Sequence, residues 1–218
     1  MSIGNRINKE YDRVDKNIVK GFEDVPVANI GDAMNRFNIM DKGINTINKL
    51  DVHMVGSAIT VKVRDGDNLM IHKAANMAKP GDVLVIDAES GQRGLWGELL
   101  TLWAINKKIA GVVIDGAVRD RQFIFENGFP VFSRYISPAG GDKNGPGEIN
   151  FPVSCGGVSV TPGDIVVGDA DGVVVIPKSN AELILKKVQK VIKKEEDIAE
   201  EVKSGKWERP WLNKISND

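Results

Sequence analysis

One passage that occurs twice in similar form does most to limit what this chain can fold into. Pro80-Gly81-Asp82 runs into Val83-Leu84-Val85-Ile86-Asp87, and Pro162-Gly163-Asp164 runs into Ile165-Val166-Val167-Gly168-Asp169. In each, proline presets φ for a turn and glycine supplies the positive-φ position of a type II turn. A continuous apolar run rich in β-branched residues follows, which suits a buried strand and not one with a wet face. The likeness is too short to establish a duplication. The second passage continues through Ala170-Asp171-Gly172 into Val173–Ile176, which is a hairpin signal.

The remaining patterns fill in an alternation of helices and strands. Ile7, Tyr11, Val14, Ile18 and Val19 have helical spacing and predict an N-terminal helix over about residues 5–22. Asn29 and Asp32 open a short helix around Gly31–Phe37. Ala58–Val63 reads as a strand, Asp65-Gly66-Asp67 as a turn, Asn68–Met77 and Leu95–Lys108 as helices, and Gly111–Asp115 as a second buried strand. Residues 137–150 form a Gly/Pro-rich loop. Ser179 and Glu182 form a capping box before a helix with an apolar stripe of Leu183, Leu185, Val188, Val191 and Ile192, running to about Lys203. The aromatic tail, Trp207, Pro210 and Trp211, is expected to pack on the body or on a neighbouring subunit. The chain reads as one α/β domain over residues 1–218, with an appended helix at each end and a tail in about 180–218: an α/β sandwich of mixed sheets. With 218 residues it is too short for eight βα units, and no G-x-G-x-x-G follows any strand.

Composition excludes several functions. The net charge of −1 leaves no one-signed field to draw in nucleic acid or an anionic membrane. No run approaches the roughly 18 apolar residues of a membrane span, and the polar start MSIGNRINKEYDRVDK has no apolar signal core. Cys155 is the single cysteine, which implies a reducing, cytoplasmic setting. Two histidines and one cysteine cannot build a typical zinc site.

The chemistry-bearing segment is Trp96-Gly97-Glu98-Leu99-Leu100 followed by Val113-Ile114-Asp115-Gly116-Ala117-Val118-Arg119-Asp120, with twenty residues between Glu98 and the Arg119-Asp120 pair. Gly94 and Gly97 flank a helix start whose free N–H groups can hold a carboxylate. The next strand returns the chain to the same end of the sheet, where ligands of open α/β sheets gather. An acid, a guanidinium and an amide nest can thus meet in a cleft. Each also has a plainer reading. Arg119-Asp120 could be a structural ion pair, and Glu98 a first-turn acid complementing the helix dipole. Asp82, Asp115 and Asp164 read as turn residues, His72 as a satisfied core histidine, His53 as a surface residue and Cys155 as a small buried one. The lysines of 186–194 read as the solvated face of a helix.

The acid-x20-Arg-Asp spacing, GVVIDGAVRD, PGDVLVID and PGDIVVGDADGVVVIP, with GDAMNRF and GDNLMIHKA upstream, resemble the family of RraA-like proteins and metal-dependent 4-hydroxy-4-methyl-2-oxoglutarate aldolases over about residues 25–205. The resemblance implies an α/β/β sandwich similar to swivelling phosphohistidine-type domains, assembled as a homotrimer or homohexamer with active sites between subunits. It implies that Asp120 is the direct metal ligand, that Arg119 holds the keto oxygen and stabilises the enolate, and that the backbone at Gly97, Glu98, Leu99 and Leu100 binds the substrate carboxylate. Glu98 stands where aldolases often have a shorter aspartate that orders metal-bound water. A further acid is expected from a neighbouring subunit's C-terminal helix, with Glu195 or Glu196 as candidates. An oxygen-rich site favours Mg²⁺ or Mn²⁺. With Arg119, such a cation can hold the charge that develops when a C–C bond breaks beside a carbonyl. The implied activity is a lyase acting on small 2-oxo acids such as 4-hydroxy-4-methyl-2-oxoglutarate and oxaloacetate through a pyruvate enolate.

The alternative is a regulator: RraA-type members bind and inhibit RNase E, and here the cleft would be vestigial. A menaquinone methyltransferase, a label the family sometimes carries, is rejected for want of a glycine-rich S-adenosylmethionine loop. A lysine Schiff-base aldolase is disfavoured because no lysine stands isolated in an apolar run.

Overall fold

The computed structural model describes residues 2–49, 51–209 and 211–212. In chain order its elements are β1 (Asn5–Ile7), α1 (Lys16–Lys20), α2 (Val27–Ala33), β2 (Asn45–Thr46), β3 (Met54–Val63), α3 (Leu69–Met77), β4 (Asp82–Trp96), α4 (Glu98–Asn106), β5 (Gly111–Val118), α5 (Arg121–Asn127), β6 (Val131–Ile136), β7 (Gly147–Ile149), β8 (Val153–Cys155), β9 (Val158–Val160), β10 (Ile165–Asp169), β11 (Gly172–Ile176) and α6 (Ala181–Lys203). A mixed sheet runs β1-β7-β3-β4-β5-β6-β2, with the β10–β11 hairpin attached to β3, and β8 pairs with β9. Strands β3, β4, β5 and β6 are mutually parallel, each joined to the next through a helix.

The continuous apolar runs are explained by how their side chains divide between cores. Along β4, Leu84 and Ile86 face the core beneath α3, α4 and α5, while Val83 and Val85 face a second core shared with β8 and β9. In the hairpin, Val166, Val173 and Val175 join that second core, and Ile165, Val167, Val174 and Ile176 turn to a third beneath α2 and α6. The sandwich therefore has both β layers predicted, plus an outer helical layer of α1, α2 and α6. Both Pro-Gly turns form as expected, with Gly81 at φ +85° and Gly163 at φ +90°, and with Asp82 N–H donating to Lys79 O and Asp164 N–H to Thr161 O at 3.0 Å.

Several sequence-based boundaries need correction. The helix over 5–22 does not exist as such. Residues 5–7 pair in parallel with β7, and only Lys16–Lys20 is helical. Ile7 packs beside the core under α3, while Val14, Ile18 and Val19 pack on the α2/α6 core. The apparent stripe thus belongs to two cores. The helix around Gly31–Phe37 lies instead at Val27–Ala33. Leu95 and Trp96 complete β4 and precede the helix. The 137–150 loop contains β7. Asn180, not Ser179, flanks α6, and its side chain makes no capping bond; Ser179 Oγ bonds Asn180 Oδ1 at 3.0 Å. Trp207 and Trp211 pack edge-on against each other with centroids 6.0 Å apart, and Pro210 and residues 213–218 lie outside the described residues. Among the described residues no helix is long and apolar enough to cross a membrane.

Candidate active site

The register of two parallel strands builds the site. Trp96 on β4 pairs with Val118 on β5, so Gly97-Glu98 and Arg119-Asp120 leave adjacent strands side by side. The twenty-residue spacing is the length of chain needed for α4, a turn and β5 to return to that point. Arg119 N–H donates to Trp96 O at 2.8 Å, and Glu98 N–H donates to Asp120 Oδ2 at 2.9 Å. Arg119 Nε lies 3.4 Å from the same Oδ2. Thr101 N–H is the first to bond back into the helix, to Gly97 O. With Glu98 N–H on Asp120, the N–H groups of Leu99 and Leu100 are left for an anion, and the dipole of α4 favours one.

Space here is set by residues without side chains. A Cβ on Gly97 would strike Asp120 Oδ2 and approach Arg119 Cγ to 2.9 Å. On Gly94 it would come within 2.7 Å of Ser137 O and 2.9 Å of Arg119 Cβ, and on Gly140 within 2.9 Å of Arg119 Nη1. Arg119 therefore lies in a cradle of three bare backbones. Asp120 itself adopts a left-handed conformation, φ 55° and ψ 40°, a region aspartate enters more readily than most non-glycine residues, and its carboxylate reaches back to the start of α4.

A cavity of about 110 Å³ is lined by Gly97, Glu98, Leu99, Leu100, Arg119 and Asp120, as the sequence predicted, and also by Asn68, His72 and Lys143. Asn68 is 8% exposed. Its Nδ2 donates to Leu95 O at 3.0 Å, while its Oδ1 has no partner among the described residues, an expensive omission unless something else donates to it. His72 is half-buried on the cleft wall and is not the core residue its apolar neighbours suggested. Burial, then the nearby Lys143 charge, holds its pKa below the usual histidine value. Lys143 is brought in by the 137–146 loop. The buried Asp67 pins that loop by accepting from Asn144 N at 2.6 Å and Gly145 N at 2.8 Å, as well as from Leu69 N at 2.9 Å. Asn68, at the N-cap of α3, and His72 stand one helical turn apart, and that spacing was their only signal in the sequence. Lys143 had none, because its place depends on the loop.

The other singled-out residues lie elsewhere. Asp115 faces the second core region, not the cleft, and accepts from Arg134 Nε at 2.6 Å, Gly156 N at 2.8 Å and Ser90 Oγ at 3.0 Å. Asp82 pairs with Arg13, and Asp164 accepts from Thr161 N and Lys178 N. His53 Nε2 approaches Val25 O at 3.3 Å. Cys155 is fully buried, and burial pushes its thiol far above the usual range, as suits a packing residue. Glu195 is bonded by Asn29 Nδ2 of its own chain, and Glu196 is exposed on α6.

Among the described residues, no three His, Cys, Asp or Glu side chains converge in a way that could hold a metal ion. A single chain brings the Asp120 carboxylate to the cavity, with Glu98 on the same rim. Such a sparse oxygen set fits Mg²⁺, which keeps several waters and takes one or two carboxylates plus substrate. It does not fit a closed structural cage.

The chain resembles several known proteins. A relative from Halalkalibacterium halodurans is 44% identical over 170 residues, covering 78% of this chain and 80% of the relative, and carries the provisional name 4-hydroxy-4-methyl-2-oxoglutarate aldolase. The crystal structure of an uncharacterized protein from Pseudomonas syringae pv. tomato superposes with a TM-score of 0.80 at 25% identity, covering 89% of this chain and 96% of that one. Streptomyces coelicolor RraAS2, described as an unusual member of the RNase ES inhibitor RraA family, superposes at 0.75 with 28% identity over 84% of this chain and 97% of its own. The RraA-like family model, described as Aldolase/RraA, matches residues 27–175, and with the mixed sheet and the cleft between β4 and β5 this shows that the chain belongs to the RraA-like family.

Proposed function

We propose that the protein is a divalent-cation-dependent lyase that cleaves or decarboxylates small 2-oxo acids to pyruvate. The observation that carries this reading is the meeting of Arg119, Asp120 and the first turn of α4 in one small cleft beside the unpartnered Asn68 Oδ1. The free amides of Leu99 and Leu100 at the start of α4 would take the substrate carboxylate, with the Glu98 amide holding Asp120. The Arg119 guanidinium, confined by its glycine cradle, is aimed to hold a keto oxygen as it gains negative charge. Asp120, with Glu98 on the same rim, would hold Mg²⁺ or Mn²⁺, which would supply Lewis-acid stabilisation of that charge. The relatives named as aldolases support 4-hydroxy-4-methyl-2-oxoglutarate as a substrate, and oxaloacetate offers the same breaking bond beside a 2-oxo acid. The single, buried Cys155 accords with a reducing, cytoplasmic setting.

The test is pyruvate release from both acids with added Mg²⁺ or Mn²⁺ and with excess chelator. Turnover that depends on the cation is expected, and full activity in chelator overturns the metal role. Likeness to an RNase ES inhibitor favours a second reading, a regulator acting through protein contacts. That reading predicts stoichiometric inhibition of RNase E, undiminished in Asp120→Ala, with neither 2-oxo acid turned over.

A further inference from the structure

We propose that the N-terminal segment is a positioning device for the cleft, in which the Arg6–Glu148 pair clamps the base of the loop that carries Gly140 and Lys143. This inference rests on the reading of the cleft as the substrate site. The segment precedes residue 27, where the match to the family model begins.

The loop is continuous with the site at one end and with the clamp at the other. Gly94 N–H donates to Ala139 O at 2.6 Å, Gly140 packs on the Arg119 guanidinium, and Lys143 lines the cleft. Two residues beyond Gly145 the chain enters β7, only three residues long. On one side β7 pairs antiparallel with β3 at Val61–Val63. On the other it pairs in parallel with β1, Arg6 opposite Glu148. Without β1, this short strand would be an unprotected edge with unpaired backbone groups.

Side chains reinforce that pairing. Arg6 Nε and Nη2 donate to Glu148 Oε1 and Oε2 at 2.8 and 2.7 Å, and the guanidinium lies 4.2 Å from the centroid of the Phe151 ring. Gly4 N–H donates to Glu148 Oε1 at 2.7 Å, and Gly147 N–H to Gly4 O at 2.7 Å. Exposed ion pairs usually contribute little. This one is bidentate and stacked on an aromatic ring, and its carboxylate is only 12% exposed, which is the geometry in which such a pair holds backbone in place. Arg6 and Glu148 touch no reacting group; they act through the loop.

The experiment compares the full-length wild type with Arg6→Glu, Glu148→Arg, the charge-swapped double variant and the milder Arg6→Lys. Amide hydrogen exchange over 139–146 is expected to speed up roughly tenfold in either reversal, the scale of one lost charge-assisted bond. It should return part of the way in the double variant and change less in Arg6→Lys, which keeps the charge without the fork. Exchange in α4 should stay as in the wild type. KM for the 2-oxo acid should rise several-fold while kcat stays near the wild-type value. Unchanged exchange over 139–146 in both reversals, or no recovery in the double variant, overturns the clamp, as does accelerated exchange with an unchanged KM. Should a reversal fail to fold, Arg6→Lys decides alone by the same two readouts. If the wild type turns over no 2-oxo acid, the lyase reading fails, and the exchange and swap results still decide the clamp.

Discussion

Arg119 is held by what is missing around it. Gly94, Gly97 and Gly140 each leave room that a methyl group would take from the arginine or from Asp120, so placement and chemistry can be separated by mutation. Arg119→Lys keeps the charge and loses the planar fork. It is expected to lower kcat at least about 10²-fold, comparable to removing one oxyanion donor, with little effect on KM for a substrate anchored by the α4 amides. Gly97→Ala leaves Arg119 intact but drives a Cβ into Asp120 Oδ2. It should cost activity on the same scale while also weakening cation affinity, read by titrating Mn²⁺ in the absence of substrate. An unchanged kcat in Arg119→Lys would show that the guanidinium is structural, and unaltered Mn²⁺ affinity in Gly97→Ala would show that the cation does not depend on Asp120's position.

At the scale of elements, Asp115 bolts the two β layers together. It sits on β5 and accepts from Arg134 on β6, from Ser90 at the irregular middle of β4 and from Gly156 N between β8 and β9. Burial alone would raise its pKa, but the bonds from Arg134, Gly156 and Ser90 outweigh that and hold it below the ordinary value of 3.8. A carboxylate depressed in the folded state contributes stability that is present above the unfolded pKa and lost as pH falls through the folded one. The melting temperature should therefore fall as pH drops below about 4. Asp115→Asn should be less stable at neutral pH by about 2 kcal/mol, the scale of hydrogen bonds to a charged group, and should show a shallower decline in acid. Equal acid slopes for the two proteins would remove Asp115 from this role. The bond network also shows what sequence can and cannot convey. The Pro-Gly turns, the doubly buried β4 and the β10–β11 hairpin were legible because local φ preferences and apolar runs determine them. So was the convergence of Glu98 with Arg119-Asp120, because helix, turn and strand lengths fix it. The N-terminal strand, Lys143 and the Asp115 links were not legible. Each depends on a partner more than fifteen residues away, and in the N-terminal segment apolar residues serving two cores imitate the stripe of one helix.

For the whole molecule, the open question is whether one chain completes the site. α6 runs 23 residues, about 35 Å at 1.5 Å per residue. Most of its apolar stripe is covered within the chain: Val188 is buried beside Ile184 in the core with α2, and Leu185, Val191 and Ile192 pack against it, while Leu183 stays 51% exposed. Beyond Ile192 the helix carries Glu195, Glu196, Asp197, Glu200 and Glu201 with little core to cover, and Glu195 alone of the first pair is engaged, by Asn29. The cleft, for its part, presents the Asp120 carboxylate and, among the described residues, an unpartnered Asn68 oxygen. The outer face of α4 beside it leaves Leu99 75% exposed, with Leu102 and Trp103 also uncovered, and an apolar patch of this kind marks a contact surface. We propose that neighbouring copies, as a trimer or hexamer, cover α4 and bring Glu195 or Glu196 to the rim opposite Asp120. Asp120→Ala and a Glu195/Glu196 double alanine should each be inactive alone. After dissociation and reassembly together, mixed oligomers should regain part of the activity, because some interfaces then pair an intact Asp120 with an intact acid. Recovery also requires exchange of subunits, so size measurements must show an oligomer before and after mixing. A fully active monomer, or an unimpaired double alanine, would confine the site to one chain and leave the acid end of α6 as a solvated helix terminus.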